Sequence, residues 1–160
     1  VTSGIADGRA AHSVGGISSN VPILTVATIN LDTKGLCQPN IKIDFSGMLN
    51  FKAHLLHGYD FRIVFQLSRT CDHGTKVSLA TWTYERQIDL CLEGMSIPSQ
   101  VIYSEEIKEP FNFVWSQGNQ CAECCVYAIE IIDICAYYVE CASITNVAIT
   151  GLISGKQRCW

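Results

Sequence analysis

Charged residues are scarce in this sequence. Asp, Glu, Lys and Arg make up 16% of the 160 residues, below the roughly 25% that is usual for soluble domains, while hydrophobic residues make up 48%. The formal net charge of −4 leaves no basic footprint of the kind that binds nucleic acid, so no such partner is expected. A sparsely charged surface indicates that part of it is covered, for example by neighbouring subunits.

The sequence also lacks a long uninterrupted apolar run and a helical period. Glu130, Asp133 and Glu140 interrupt the most apolar segment, so no membrane insertion is expected. No segment repeats its apolar residues every 3.6 positions, which predicts few helices.

Short segments of alternating apolar and polar residues follow one another instead. In 41–51, Ile41, Ile43 and Phe45 alternate with polar residues, and Gly47 marks a bulge or bend. Further strands are predicted at 23–31, 61–69, 77–86, 101–103, 111–115, 126–134, 137–141 and 147–153. About eight antiparallel strands predict an all-β, single-domain β-sandwich or jelly roll over residues 21–155, followed by a C-terminal tail at 156–160.

The strand at 126–134 is predicted to be central, because it is the densest in β-branched and aromatic residues. Its alternation places two sets of side chains on opposite faces. The first set is Cys125, Tyr127, Ile129 and Ile131; the second is Val126, Ala128, Glu130, Ile132 and Ile134.

Residues 1–20 are rich in Gly, Ser and Ala and show no strand or helix period. We expect an extended N-terminal arm that serves as the assembly connector, with Ile5, Val14 and Ile17 as apolar anchors. Fully extended, such an arm spans about 65 Å at ~3.3 Å per residue, more than the roughly 40 Å diameter of a domain of this length. The alternative is that the arm folds back on its own sandwich as an extra edge strand.

Nine cysteines in 160 residues are typical of an oxidising, extracellular setting. All nine are candidates for disulfides or cross-links: Cys37, Cys71, Cys91, Cys121, Cys124, Cys125, Cys135, Cys141 and Cys159. Because the number is odd, at least one must lack a partner within the chain. We expect this one to be Cys159, which lies beyond the last strand and can reach another subunit.

Five of the cysteines crowd into residues 120–142, at both ends of the central strand. We predict that Cys121, Cys124 and Cys125 are mostly oxidised. Their expected partners are Cys37, Cys135 and Cys141. Cys124 and Cys125 should have different partners, because adjacent residues of a strand face opposite sides.

Other chemistry is possible at these residues but less favoured. Two thiolates of the 121–125 segment could form half of a zinc site, completed in space by Cys37, Cys135 or Cys141, but no second CxxC or HxxxH motif follows. Covalent haem attachment needs a CxxCH motif, and this chain has Cys125 at the position where that motif has His. A Cys–His nucleophile pair with His54, His57 or His73 is possible on paper only, so we expect no enzyme, cofactor or resident metal. These histidines are most simply solvated turn residues, and Glu105 and Glu106 a solvated loop.

The aromatic residues Trp82, Tyr84, Trp115, Tyr137 and Tyr138 are most simply core and cross-strand residues. A sugar-stacking surface is the minority interpretation.

Four elements of the sequence carry a family resemblance that covers about residues 22–155. They are Cys37 after the first strand, the I-K-I-D-F strand at 41–45, the W-x-x-x-R stretch at 82–86 and the CxxCC-Y motif at 121–127. Together they resemble an uncharacterised Cys-rich all-β family of spore-forming anaerobic Firmicutes, which is similar to endospore appendage (Ena-type) fibre subunits. The resemblance implies a jelly roll that polymerises outside the cell through an N-terminal connector and disulfides between subunits. Unlike those connectors, residues 1–20 contain no cysteine.

The favoured interpretation is a structural subunit that self-assembles into an extracellular, disulfide-stabilised fibre by exchange of its arm or a strand. It would be a homopolymer on the cell or spore surface. The alternative is a secreted monomeric β-sandwich that binds carbohydrate or acts as an adhesin. A hydrolase is the third and least supported possibility.

Overall fold

Every element in the described part of the chain is a β-strand. The computed structural model describes residues 2–7, 9–10, 23–54, 58–72, 74–88, 104–118 and 123–157. The strands are β1 (Thr2–Asp7), β2 (Arg9–Ala10), β3 (Leu24–Asp32), β4 (Leu36–His54), β5 (Tyr59–Cys71), β6 (Val77–Ile88), β7 (Ser104–Gln117), β8 (Cys124–Tyr137) and β9 (Val139–Gln157). None of these residues forms a helix that is long and apolar enough to cross a membrane.

The strands form two antiparallel sheets. The first has the order β1-β9-β4-β7, and the second has the order β2-β3-β8-β5-β6. Most neighbours in a sheet are distant in sequence. From β3 onward, every connection between successive strands changes sheets except the one from β5 to β6. With β2 set aside, the eight long strands have the two-sheet pairing of a jelly roll, which confirms the predicted fold class.

The core lies between the inner faces of the two sheets. It contains large side chains that are almost fully removed from solvent, among them Phe45, Phe51, Phe61, Phe65 and Tyr127. Their alternation along β4, β5 and β8 with exposed or half-buried residues follows the period of two that the sequence shows. Burial of these apolar residues is therefore what joins the sheets.

The strands are longer than the sequence indicated. β7 begins at Ser104, so Glu105 and Glu106 lie on a strand opposite β4 and not in a loop. The two strands predicted at 137–141 and 147–153 are one strand, β9, apart from Tyr137, which ends β8, and Tyr138, which lies between the two strands. The register between β4 and β9 shifts at several bulges, one of them at the predicted position Gly47. These bulges let β9 continue as one strand.

The face assignment along β8 was wrong at one residue. Ile134 is buried in the core together with the first set of side chains. The register between β5 and β8 shifts so that Ile132 has no opposite residue on β5, and this bulge returns Ile134 to the inner face.

Part of the N-terminal arm belongs to the sandwich. β1 pairs with β9 over six residue pairs, from Thr2 opposite Gly155 to Asp7 opposite Thr150. β2 pairs with β3, so the arm crosses from the first sheet to the second within a few residues. The structure thus shows the folded-back arrangement of residues 2–7 and 9–10, while residues 11–20 lie outside the described part.

Candidate functional site

One disulfide joins two neighbouring strands at one end of the sandwich. Cys71, the last residue of β5, is bonded to Cys125 of β8, and their Cα atoms lie 4.0 Å apart. The two residues are directly opposite in the antiparallel register. We call this end of the sandwich, where β5 ends and β8 begins, the disulfide end.

The partner of Cys125 corrects a prediction. The sequence suggested Cys37, Cys135 or Cys141, whereas the bond is made to Cys71. The sequence pattern does not reveal that β5 and β8 are neighbours, because residues 71 and 125 are 54 positions apart. Cys135 lies near the other end of β8, too far along the strand to reach Cys125.

A carboxylate lies beside the disulfide. Glu123 Oε2 is 4.0 Å from Cys125 Sγ, and it forms with the two sulfurs a group in which all ligand atoms lie within 4.8 Å of one another. Sequence reasoning missed Glu123 as a site residue. The available signal was its position two residues before Cys125, within the CxxCC segment.

The backbone of Glu123 is held by a buried threonine. Thr33 Oγ1 donates a hydrogen bond to the Glu123 carbonyl oxygen at 2.9 Å and accepts one from Glu123 N–H at 3.0 Å. Thr33 N–H also donates to the same carbonyl oxygen at 3.0 Å. Because Thr33 is only 2% exposed, these bonds are shielded from water and fix the main chain at Glu123.

The segment after Cys71 is fixed in a similar way. Gly74 N–H donates to the Cys71 carbonyl oxygen at 2.7 Å, which fixes the chain against the end of β5. Asp72 N–H donates to the Cys124 carbonyl oxygen at 3.0 Å. The disulfide end is therefore braced from both strands.

Three further cysteines are free thiols in this structure. Cys124 is half-buried at the disulfide end, whereas Cys135 and Cys141 are exposed near the β8–β9 connection at the opposite end, which we call the β8–β9 end. Cys37 is half-buried on β4 at the disulfide end, opposite Lys156. The described cysteines thus lie towards the two ends of the sandwich. Cys91, Cys121 and Cys159 lie outside the described residues.

The other predicted site residues are dispersed. Ile5 lies on β1 opposite Leu152, while Val14 and Ile17 are outside the described part. His54 ends β4, where its Nε2 lies 3.0 Å from Glu140 Oε1, so it belongs to a strand and not to a turn. His57 and His73 are also outside the described residues.

Two of the predicted core aromatics are at the surface. Tyr137 is 62% exposed and Tyr138 41%, at the β8–β9 end. Their ring centroids are 4.5 Å apart, but the rings are inclined at 76°, so they do not offer one flat face to a sugar. In contrast, Trp82 stacks on Phe113 at 5.0 Å, between β6 and β7, as expected of a packing residue.

The comparison with known families adds a relationship for almost the whole chain. A family model described as a domain of unknown function, DUF4489, matches residues 1–154, and the chain therefore belongs to this family. The match includes β1, so the N-terminal strand is part of the family's domain. A comparison with curated proteins found no match.

Proposed function

We propose that this protein is the structural subunit of an extracellular, disulfide-stabilised homopolymeric fibre, assembled by exchange of the N-terminal arm. The single observation that carries the proposal is the position of β1. This strand lies at the edge of its sheet, where, among the described strands, it pairs only with β9.

The pairing of β1 with β9 could equally be made between subunits. Strand pairing depends on main-chain hydrogen bonds, so the β1 segment of a neighbour fits the β9 edge in the same register. Exchange of an identical element conserves the contacts of the closed form, and its free-energy cost is confined to association and to the connecting segment. If each subunit passes its arm to the next, the contact is open-ended and a filament results.

The connecting segment is long enough for this exchange. Residues 11–23 separate β2 from β3. Such a segment spans at most about 45 Å, since each residue adds up to ~3.3–3.6 Å. That length exceeds the ~10 Å separation of packed sheets several-fold, so a neighbouring edge is within reach.

The opposite side of the sandwich offers further unpaired backbone. β6 and β7 are the last strands of their sheets, with 12 and 14 residues. β7 carries Pro110, which limits pairing along this edge, but β6 has no proline and no charge from Val77 to Tyr84. An edge without such protection favours contact with another chain.

Free thiols near both ends of the sandwich support covalent stabilisation. Cys124 lies at the disulfide end, and Cys135 and Cys141 lie at the β8–β9 end. Subunits stacked end to end would bring Cys124 of one subunit towards Cys135 and Cys141 of the next. The resemblance to endospore appendage subunits supports the same interpretation and a location on the cell or spore surface.

The first test is assembly under oxidising conditions. We expect filaments of the purified protein by electron microscopy, and high-mass material in SDS gels that collapses to a monomer band with reductant. A single monomer band without reductant, with no filaments, would support the alternative of a secreted binding module.

The second test removes residues 1–10. The shortened chain should keep a β-rich far-UV spectrum and remain monomeric, because each subunit has lost the strand that it would donate. A synthetic peptide of residues 1–10 should bind it one-to-one and raise its melting temperature, while a scrambled peptide of the same composition should not. Normal filaments from the shortened chain would refute arm exchange.

A further inference from the structure

The cluster of Cys71, Cys125 and Glu123 has the donor atoms of a soft-metal site. Reduction of the disulfide would leave two thiols on directly opposite residues of β5 and β8, with a carboxylate oxygen 4.0 Å from one sulfur. Thiolates and a carboxylate are donors that zinc accepts. We propose that the reduced protein binds one zinc ion through Cys71, Cys125 and Glu123, and that the oxidised protein replaces this ion with the disulfide.

The distances suit a tetrahedral ion. With Zn–S bonds of about 2.3 Å and a Zn–O bond of about 2.0 Å, the two sulfurs stand about 3.8 Å apart and each sulfur about 3.5 Å from the oxygen. The carboxylate of Glu123 is therefore within about half an ångström of its required position relative to Cys125. When the bond is broken, van der Waals repulsion between the two sulfurs moves them apart, towards this spacing.

The ligands are held in place by groups that do not touch the metal. Both cysteines are fixed by the strand ladder, and the main chain of Glu123 is fixed by its hydrogen bonds with buried Thr33. The Cys71 carbonyl is held by Gly74 N–H. Such a supporting shell lowers the cost of ordering the ligands when the ion binds.

Charge also favours an ion here in the reduced state. Once both thiol protons have been displaced, two thiolates and one carboxylate lie within a few ångströms of one another, and Cys125 is only 6% exposed, so without the ion they would repel one another. A divalent cation reduces the local charge from −3 to −1. The fourth position is left to water, as in sites with three protein ligands.

The switch between the two states is a two-electron step. A phosphine reductant cleaves the Cys71–Cys125 bond and becomes a phosphine oxide with the oxygen of water, whose protons pass to the two thiols. Zinc then displaces both thiol protons. Oxidation by a disulfide compound of low mass reverses the process, since two electrons pass to that compound, the protein bond re-forms and zinc is released.

The test uses full-length chain in which only Cys71 and Cys125 are retained. The other cysteines become serine: Cys37, Cys91, Cys121, Cys124, Cys135, Cys141 and Cys159. After phosphine reduction without oxygen, we expect one zinc per chain, and X-ray absorption should show two sulfur and two oxygen neighbours. The oxidised protein should bind none. Glu123→Gln should weaken zinc binding by about tenfold or more, whereas the control Glu106→Gln on β7 should not.

A second measurement serves if the serine variant does not fold. In the reduced natural chain, zinc should protect Cys71 and Cys125 from alkylation, as read by mass spectrometry. Absence of zinc from the reduced protein, a zinc ion with four sulfur neighbours, or protection of other cysteines only would overturn the proposal. Equal zinc binding by oxidised and reduced protein would overturn it too.

Discussion

Gly151 of β9 lies directly against Leu31 of β3. A methyl group added at Gly151 would approach Leu31 Cδ2 to 2.8 Å and Ile29 Cδ1 to 3.2 Å. Leu31 and Ile29 are buried in the core, so neither side chain has room to turn away. The absence of a side chain at Gly151 therefore sets how closely the two sheets approach beside β1.

Substitution of Gly151 by alanine should destabilise the protein by overpacking. We expect a loss of about 1–3 kcal/mol in the free energy of unfolding, measured by urea denaturation. The control is Ala148→Ser at an exposed position of the same strand, which should change stability by no more than about 0.5 kcal/mol. Equal effects of the two changes would show that the sheets separate easily at this point.

Loss of the Cys71–Cys125 bond should be costly. Because the bond closes a loop of 54 residues, Cys71→Ser should lower the free energy of unfolding by about 2–5 kcal/mol under oxidising conditions. Most of this difference should vanish when both proteins are measured with reductant. The exposed Cys135→Ser serves as the control, and a similar loss from it would contradict the assignment.

The ion pair between Glu130 and Lys76 should contribute more to the free energy of unfolding than an exposed ion pair does. Glu130 is 3% exposed, and its carboxylate accepts hydrogen bonds from Ser68 Oγ at 2.5 Å and from Lys76 Nζ. Lys76→Met leaves a buried carboxylate with less compensation, so we expect a loss of about 1–3 kcal/mol.

The matched control for Glu130 is an exposed pair. Lys34→Met removes the partner of Asp72 at 3.4 Å, where both side chains are about half exposed, and should cost at most about 1 kcal/mol. In addition, Glu130→Gln combined with Lys76→Met should recover part of the loss of Lys76→Met alone, since no charge is then left buried. Additive losses in this double-mutant cycle would show that the two residues do not interact.

Stability should decline at alkaline pH through a buried tyrosine. Burial raises the pKa of the Tyr127 phenol, Arg69 lowers it and Glu123 raises it, with a net upward shift from 10.0. Because the pKa is higher in the folded protein, the stabilisation is fully present below pH ~10 and is lost as pH rises through the folded pKa. Tyr127→Phe should make stability less dependent on pH in that window.

The measurement is reversible denaturation at several alkaline pH values, with tyrosinate absorption recorded in parallel. The comparison variant is Tyr137→Phe, because Tyr137 is largely exposed. An unchanged pH profile for Tyr127→Phe would contradict the role given to this phenol.

The sequence predicted the fold well because the alternation of apolar and polar residues along a strand shows which side chains are buried. The faces of β4 and β5 followed from residues such as Ile43 and Phe65, and the fold class followed from the number of such strands. The bulge that returns Ile134 to the core was not predicted, because it depends on the register with β5 and not on the order of residues in β8.

The candidate site was predicted only in part for the same reason. Cys71 and Cys125 were both among the cross-link candidates, but their pairing needs the knowledge that β5 and β8 are neighbours. Glu123 and Thr33 were missed, since a loop glutamate and a turn threonine carry no pattern of their own. The sequence favoured an exchanged arm over a folded-back one, because residues 2–7 lack the alternation of apolar residues that marks the other strands.

The position of β9 in the first sheet has a consequence for the nascent chain. β9 lies between β1 and β4, yet it is the last strand to be synthesised of those described. Neither β1 nor most of β4 can acquire this neighbour until residues up to about 157 have left the ribosome, so nearly all pairing in that sheet joins distant parts of the chain. Such a high contact order predicts slow folding, in milliseconds to seconds, during which the apolar faces of β4 and β5 remain exposed to other chains.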